Sequence, residues 1–141
     1  MDAWNYQCRI DLQEIILKQA DKKILSQYSE NQKPNESCAI LFGKNNQVQD
    51  LFLTENIDES PVNFTISNKQ LIEAYKIAED KKMDVIGIFH SHPNSDAHPS
   101  NTDKKFMQSN PVVWIIYSGI NKNFRAFILE SDTIEIPIAE K

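Results

Sequence analysis

The sequence has 141 residues, 40% hydrophobic and 25% charged, a balance typical of one folded domain and not of a disordered chain. Its net charge of −5, without any lysine- or arginine-rich run, argues against a protein that binds nucleic acid or an anionic membrane. Two cysteines are too few for a disulfide framework, and no signal-peptide pattern or membrane-length apolar run is present. We therefore expect a single cytoplasmic domain over residues 1–141.

The N-terminal region predicts a short strand followed by a helix. Apolar residues alternate over residues 6–10, and Asp11 and Glu14 then have the spacing of a capping box. Apolar residues at helical spacing extend the prediction to a helix over Leu12–Ser29. These apolar residues are Leu12, Ile15, Ile16, Ala20 and Ile24.

A hairpin and a second helix are predicted next. The apolar run Ser37–Gly43 predicts a buried strand, and Gln47–Leu53 is its expected hairpin partner. Val62–Ile66 is expected to be a short extended piece after an acidic loop. Ser67 and Gln70 offer a second capping box, which predicts a helix whose apolar stripe is Leu71, Ala74, Tyr75 and Ala78.

The C-terminal half predicts a central strand, a short helix and three further strands. Asp84–Phe89 is an apolar run bounded by polar residues, and a helix is expected near Ser100–Ser109. The last strands are predicted at Val112–Ser118, Phe124–Glu130 and Thr133–Ile138. Pro137 favours an edge position for the last of them. The chain therefore belongs to the α/β or α+β class, with helices packed on a mixed sheet.

Two histidines follow the predicted central strand directly. Because side chains at i and i+2 of an extended chain point the same way, His90 and His92 should project together, and Pro93 should end the strand. Asp103 lies on the helix after the next loop and can supply an oxygen ligand. Three protein ligands leave the fourth tetrahedral position to water, which distinguishes a catalytic zinc site from a structural one.

Each of these residues also has an ordinary explanation when taken alone. An isolated H-x-H pair is more often a pair of surface or core histidines than a metal site, and Ser100 with Asp103 has the spacing of a helix cap. Their occurrence together within fourteen residues, directly after a buried strand, favours a metal site over coincidence.

The motif HSHP, followed after a short loop by PSNTD, resembles the pattern of the JAMM (MPN-plus) zinc metallopeptidase family, compact prokaryotic or archaeal type. That family also has a glutamate just before an apolar strand that ends in glycine, and PNESCAILFG fits this position and selects Glu36. The resemblance covers nearly the whole chain. It implies a JAMM/MPN-like mixed sheet packed with helices.

The resemblance also implies the site residues and their roles. His90, His92 and Asp103 would hold one Zn²⁺ per chain, which lowers the pKa of water to about 7. Glu36 would be the general acid/base that takes a proton from water and returns it to the leaving nitrogen. Ser100 would stabilise the oxyanion. The substrate-binding residues are unknown at this stage.

Other polar residues near the motif have plainer interpretations. Ser91 should alternate away from the metal and act as a structural hydrogen-bonding group, not as a nucleophile. His98 could make a three-histidine site, although a solvated loop position is the preferred interpretation, as it is for Asp96. Cys38 is expected to be a small core residue, and a redox partnership with Cys8 has no support in the sequence.

By this resemblance, the chain is an isopeptidase that hydrolyses the bond after the C-terminal Gly-Gly of ubiquitin or a ubiquitin-like modifier, in deconjugation or processing. Its partner would be that modifier or its conjugates, with no nucleic acid and no membrane, and a homodimer is compatible with the sequence. The alternatives are processing of a sulfur-carrier protein C-terminus and a non-catalytic MPN scaffold, which would lack metal-site positions that are present here. A RadC-like role is less favoured, because the corresponding segment of that branch resembles HNHPSG, whereas this chain has HSHPNS. A zinc deaminase is not favoured either, because the motifs of that class are absent from the sequence.

Overall fold

This computed structural model describes residues 14–140, which form eight strands and three helices. The predicted strand at 6–10 and the residues Asp11 to Gln13 lie outside the described residues. The helices are α1 (Gln19–Gln32), α2 (Asn68–Asp80) and α3 (Asn101–Ser109). The strands are β1 (Ile15–Ile16), β2 (Cys38–Lys44), β3 (Gln47–Thr54), β4 (Asp84–His92), β5 (Val113–Ser118), β6 (Asn123–Leu129), β7 (Thr133–Ile136) and β8 (Ile138–Ala139).

The strands form one mixed sheet in the order β7-β6-β5-β4-β2-β3-β1-β8, which confirms the predicted fold class. The pairs β4–β5, β1–β3 and β1–β8 are parallel, and the others are antiparallel. Strands β7 and β8 lie at opposite edges, although only Pro137 separates them in sequence, so the sheet must curl until its edges approach each other. Pro137 also divides the single strand predicted over Thr133–Ile138 into two.

The helices cover the two faces of this curled sheet. On its inner side, Leu41 of β2 and residues from both edge strands pack in one cluster with Leu25 of α1. On its outer side, Phe42 packs against Ala74 of α2, and Met107 of α3 packs over the neighbouring part of the sheet. Successive residues of a strand point to opposite faces, so each central strand contributes to both cores and reads as a continuous apolar run.

The prediction of a helix over Leu12–Ser29 is wrong at its N-terminal end. Ile15–Ile16 forms the strand β1 between β3 and β8, and α1 begins only at Gln19. The apolar spacing was misleading because Ile24, which was counted in the helical stripe, is 45% exposed, whereas its neighbour Leu25 is fully buried. The two β-branched isoleucines gain more from strand pairing and burial than from extending the helix.

Apart from Val62–Ile66, the other predicted elements within the described residues agree with the structure to within a few residues. The Ser37–Gly43 and Gln47–Leu53 strands are β2 and β3, and the central strand continues beyond Phe89 through the histidines as β4. Val62–Ile66 forms neither strand nor helix. Among the described helices, none combines the length and the apolar character that a membrane crossing requires.

Three buried serines connect α1, the residue before β2, and β4. The Ser91 hydroxyl accepts a hydrogen bond from the Ser37 backbone N–H at 2.9 Å and lies 3.0 Å from the Ser37 hydroxyl. The Ser37 hydroxyl in turn lies 2.8 Å from that of Ser29, which donates to the Leu25 carbonyl. Ser91 thus points away from His90 and His92 and joins the strand that carries them to the first helix.

We expect Ser91→Ala to lower the free energy of unfolding by about 1–3 kcal/mol, because it leaves the buried Ser37 N–H without its acceptor. Urea unfolding followed by circular dichroism measures this change. Ser26→Ala is the matched control, because Ser26 is a half-buried serine of α1 whose hydroxyl donates a local hydrogen bond to the Lys23 carbonyl. Equal stability of the two variants would contradict a structural role for the serine chain.

Candidate metal centre

Three potential metal ligands converge where β4 ends and α3 begins. The Nε2 atoms of His90 and His92 lie 3.1 Å from each other, and each lies 3.1 Å from Oδ2 of Asp103. All three side chains are buried. Among the described residues, this is the one group of three histidine, cysteine or acidic residues close enough to share an ion.

The spacing of these donor atoms fits a tetrahedral zinc ion. Zinc bonds of about 2.0–2.1 Å place neighbouring ligand atoms of a tetrahedron about 3.3–3.4 Å apart, close to the observed triangle. Hydrogen bonding alone explains the arrangement poorly. If both imidazoles donated a hydrogen bond to the same carboxylate oxygen, their two N–H groups would be crowded together and repel each other, because the Nε2 atoms are only 3.1 Å apart in the protein interior. A cation removes this conflict, because all three atoms then present lone pairs to it.

The extended backbone of β4 aims both imidazoles at this point. His90 and His92 occupy alternate positions at the end of β4, where the strand pairs with β5 in parallel. The chain then leaves the sheet beside Gly119, whose N–H donates to the His92 carbonyl at 2.8 Å. A Cβ atom at Gly119 would lie 2.5 Å from the Pro93 carbonyl oxygen, so a side chain there would displace the loop that follows the histidines.

The imidazole of His92 is fixed by a second hydrogen bond. Its Nδ1 lies 2.8 Å from the backbone carbonyl of Asp96, an acceptor that requires the hydrogen on Nδ1 and leaves the Nε2 lone pair free for a metal. Burial lowers the pKa of His92, but hydrogen bonds to Asp103 and Asp96 outweigh this effect and raise it. Burial lowers the pKa of His90, which keeps that imidazole neutral.

Asp103 is positioned by the start of α3. Ser100 is the N-cap residue, and its hydroxyl accepts a hydrogen bond from the Asp103 backbone N–H at 3.0 Å. The Ser100 backbone N–H donates to Oδ2 of Asp103 at 2.9 Å, which completes a capping box. Burial raises the pKa of Asp103, but hydrogen bonds from both histidines and from Ser100 hold it well below its usual range, so the carboxylate stays ionised.

The helix cap and a catalytic use of Ser100 are compatible. The Ser100 oxygen is held as an acceptor by Asp103, and a serine hydroxyl retains one hydrogen that it can donate elsewhere. Ser100 is exposed, so this hydrogen can reach a bound molecule. Because Asp103 is one of the three candidate metal ligands, its hydrogen bond to Ser100 keeps the Ser100 hydroxyl close to the candidate metal centre.

Glu36 is a buried carboxyl group without a neutralising partner. Its Oε1 atom has no hydrogen-bond partner among the described residues. Burial raises its pKa to about 8, while the charges of His92 and Asp103 act on it in opposite directions, which places the carboxyl in the electrostatic field of the cluster. A carboxyl group with a pKa near neutrality is suited to both accepting and releasing a proton.

Two aromatic side chains that the sequence did not single out enclose His90. The ring of Phe64 stacks on the His90 ring with centroids 4.7 Å apart, and Trp114 meets it edge-on at 5.7 Å. They exclude water from one side of the cluster and restrict rotation of the imidazole. No local sequence pattern identifies them, since Phe64 lies in an irregular loop and Trp114 in the neighbouring strand.

The remaining candidates lie outside the cluster. His98 is exposed and its ring contacts Phe127 edge-on at 5.5 Å, so the three-histidine alternative does not match the observed group. Asp96 contributes its backbone carbonyl to His92, while its side chain is exposed. Cys38 is a buried free thiol whose pKa burial raises to about 11, a property of an inert core cysteine. Cys8 lies outside the described residues.

Comparison with known proteins identifies the family. A family model described as prokaryotic homologues of the JAB domain matches residues 18–129. Desampylase of Pyrococcus furiosus is 36% identical over 94 residues, which are 67% of this chain and 66% of that protein. CysO-cysteine peptidase of Mycobacterium tuberculosis is 24% identical over 87 residues, 60% of each chain. The match thus spans about two thirds or less of the length of these relatives.

Solved structures show the same fold. A protein from Desulfitobacterium hafniense superposes with a TM-score of 0.81 at 24% identity, covering 90% of this chain and 92% of that one. A JAB1/MPN domain protein from Archaeoglobus fulgidus superposes with a TM-score of 0.56 at 19% identity, covering 84% and 94%. The predicted resemblance to the JAMM/MPN family is therefore confirmed, and the chain belongs to the prokaryotic branch of the JAB-domain family.

Proposed function

We propose that the chain is a zinc-dependent peptidase that hydrolyses the bond after the C-terminal Gly-Gly of a ubiquitin-like modifier. The observation that carries this proposal is the triangle of donor atoms from His90, His92 and Asp103, which lies within the field of the buried carboxyl group of Glu36. Three ligands leave a tetrahedral ion one position for exchange, as hydrolytic zinc sites require. A non-catalytic scaffold would need neither this vacancy nor the buried acid.

In the proposed mechanism, bound zinc supplies Lewis-acid chemistry and lowers the pKa of water to about 7. Glu36 accepts a proton from the attacking water and returns it to the leaving nitrogen. This return is essential, because a lysine-type amine with a pKa of about 10.4 leaves as the neutral amine and not as an amide anion. The Ser100 hydroxyl donates a hydrogen bond to the developing oxyanion, a contribution typically worth about 10²–10³ in rate.

The names of the relatives support a hydrolytic reaction, but they indicate different substrates. Desampylase and CysO-cysteine peptidase are both named for hydrolytic reactions, and the second name specifies a bond to cysteine. We therefore assign a ubiquitin-like protein or its conjugates as the partner. Release of an amino acid from the C-terminus of a sulfur-carrier protein is the second candidate. The same residues would serve both reactions, which differ in the leaving amine.

The proposal is tested by incubating the zinc-loaded protein with two sets of substrates. One set carries a ubiquitin-like protein joined through Gly-Gly to a lysine side chain, and the other carries the same protein ending in Gly-Gly-cysteine. Mass spectrometry should detect cleavage after the second glycine in at least one set, and a zinc chelator should abolish it because the Lewis acid is lost. Cleavage that persists in the metal-stripped protein would refute the mechanism.

We expect Asp103→Ala to lose zinc on dialysis, because it removes one of three ligand atoms together with the carboxylate charge. Atomic absorption should give close to one zinc per chain for the wild type and much less for the variant. Asp80→Ala is a suitable control, because Asp80 is an exposed aspartate at the last position of α2 and is not one of the clustered residues. Equal zinc content in the wild type and Asp103→Ala would remove Asp103 from the ligand set.

Glu36→Gln should retain zinc and lose turnover, because the amide keeps the shape of the side chain but cannot carry the proton. General acid–base groups typically contribute about 10²–10⁴-fold to the rate, so kcat should fall within this range. Steady-state cleavage with parallel zinc analysis measures both quantities. A fully active Glu36→Gln enzyme would exclude Glu36 as the acid/base.

The same variant has an independent signature in the zinc-free protein. The pKa of Glu36 is raised from 4.5 to about 8, so the native state binds its proton more tightly than the unfolded chain does. The resulting stability is fully present below about pH 4.5 and is lost as the pH rises towards 8. Glu36→Gln should lack this loss, which urea unfolding at a series of pH values would reveal.

A further inference from the structure

The segment between β3 and α2 is irregular but firmly anchored at the start. The Tyr28 hydroxyl of α1 donates to the carbonyl of Thr54, the last residue of β3, at 2.6 Å. The next backbone N–H, that of Glu55, donates to Oε1 of Gln70 at 2.9 Å. Residues 55–66, called the 55–66 loop below, therefore start from a position fixed by two helices.

One side chain organises this loop. Oδ1 of Asn56 accepts hydrogen bonds from the backbone N–H groups of Asp58 and Thr65, both at 3.1 Å. Nδ2 of Asn56 donates to the backbone carbonyl of Asn63 at 2.9 Å and to that of Glu36 at 3.0 Å. Nδ2 also lies 3.5 Å from the Ser60 carbonyl, so five backbone groups from the loop and from the chain segment before β2 contact this one amide.

The loop holds both backbone polar groups of Glu36. The Glu36 N–H donates to the carbonyl of Ser60 at 2.9 Å, and the Glu36 carbonyl accepts from Asn56. Strand β2 begins only at Cys38, so Glu36 precedes the paired region of the strand. Among the described residues, Oε1 of the Glu36 carboxyl group has no hydrogen-bond partner, so the backbone contacts contribute to where that group lies.

We propose that Asn56 is a positioning residue that sets the location of the Glu36 carboxyl group relative to His90, His92 and Asp103. The catalytic meaning of this inference rests on the proposed function, in which Glu36 is the acid/base. A displacement of about 1 Å at a reacting group can cost about 10²-fold in rate, so loss of the hydrogen bond that Asn56 donates to the Glu36 backbone should lower the rate.

Asparagine alone provides both halves of this arrangement. Aspartate has nearly the same shape and keeps the acceptor for Asp58 and Thr65, but it has no N–H to donate to Glu36. Alanine removes the acceptor and both donors without adding charge. Aspartate therefore loses the donor contacts to the carbonyls of Glu36 and Asn63 but keeps the acceptor contacts within the loop, whereas alanine loses both sets.

The kinetic test compares zinc-loaded Asn56→Asp and Asn56→Ala with the control Asn63→Asp. Asn63 lies in the same loop with an exposed side chain, and only its backbone carbonyl contacts Asn56, so its substitution adds the same charge without removing the donor. In both Asn56 variants we expect kcat to fall by about 10- to 100-fold, with KM and zinc content unchanged. The control should retain the wild-type kcat.

A second measurement needs no substrate. Amide hydrogen exchange followed by NMR should show faster exchange at the Glu36 N–H in Asn56→Asp, by about tenfold for the loss of one supporting hydrogen bond. The Phe89 N–H, in the central strand β4, should exchange as in the wild type, as should both amides in Asn63→Asp. This result identifies displacement at Glu36 rather than general loss of stability.

The outcomes separate the two proposals. If the wild type cleaves no Gly-Gly substrate but Glu36 exchange accelerates in Asn56→Asp, the proposed function fails and the positioning role of Asn56 stands. Unchanged Glu36 exchange in Asn56→Asp would overturn the inference whether or not cleavage occurs. A higher KM with an unchanged kcat would also overturn it, because that result indicates a role in substrate docking. An equal loss of kcat in Asn63→Asp would overturn it as well, because that result indicates an effect of the added charge.

Discussion

The structure depends on the convergence of two imidazole nitrogens and one carboxylate oxygen inside the protein. Three donor atoms 3.1 Å apart are unfavourable neighbours without a cation, since buried polar groups lose their hydration and here face one another. A bound zinc ion would replace this cost with coordination bonds. The rest of the fold can be understood as the framework that holds these atoms together.

Two structural features of that framework place the three candidate ligands. The histidines share the alternation of one strand, β4, which is paired on both sides by β2 and β5 and is therefore hard to displace. Asp103 is held by the capping box of α3, so a single carboxylate both closes the helix end and faces the cluster. The crossover from β4 through α3 to β5 brings the two devices together.

The candidate acid/base is held differently from the ligands. Glu36 lies ahead of its strand, and its backbone is bonded by the 55–66 loop instead of by the sheet. Burial raises the pKa of its carboxyl group, and Oε1 has no hydrogen-bond partner among the described residues. The sheet and the cap of α3 thus place the candidate metal ligands, whereas the candidate acid/base is held by hydrogen bonds from the 55–66 loop.

The fold class, most strand and helix positions, and the five polar residues of the motif could be predicted from the sequence. These features follow from short-range periodicity and fixed spacing, such as the i and i+2 positions of His90 and His92. The strand formed by Ile15 and Ile16 could not, because its partners β3 and β8 are distant in sequence and come together only in the folded chain. Only the tertiary structure decided that Phe64 encloses His90 and that Asn56 holds Glu36, since contacts between loops and strands leave no periodic trace in the chain.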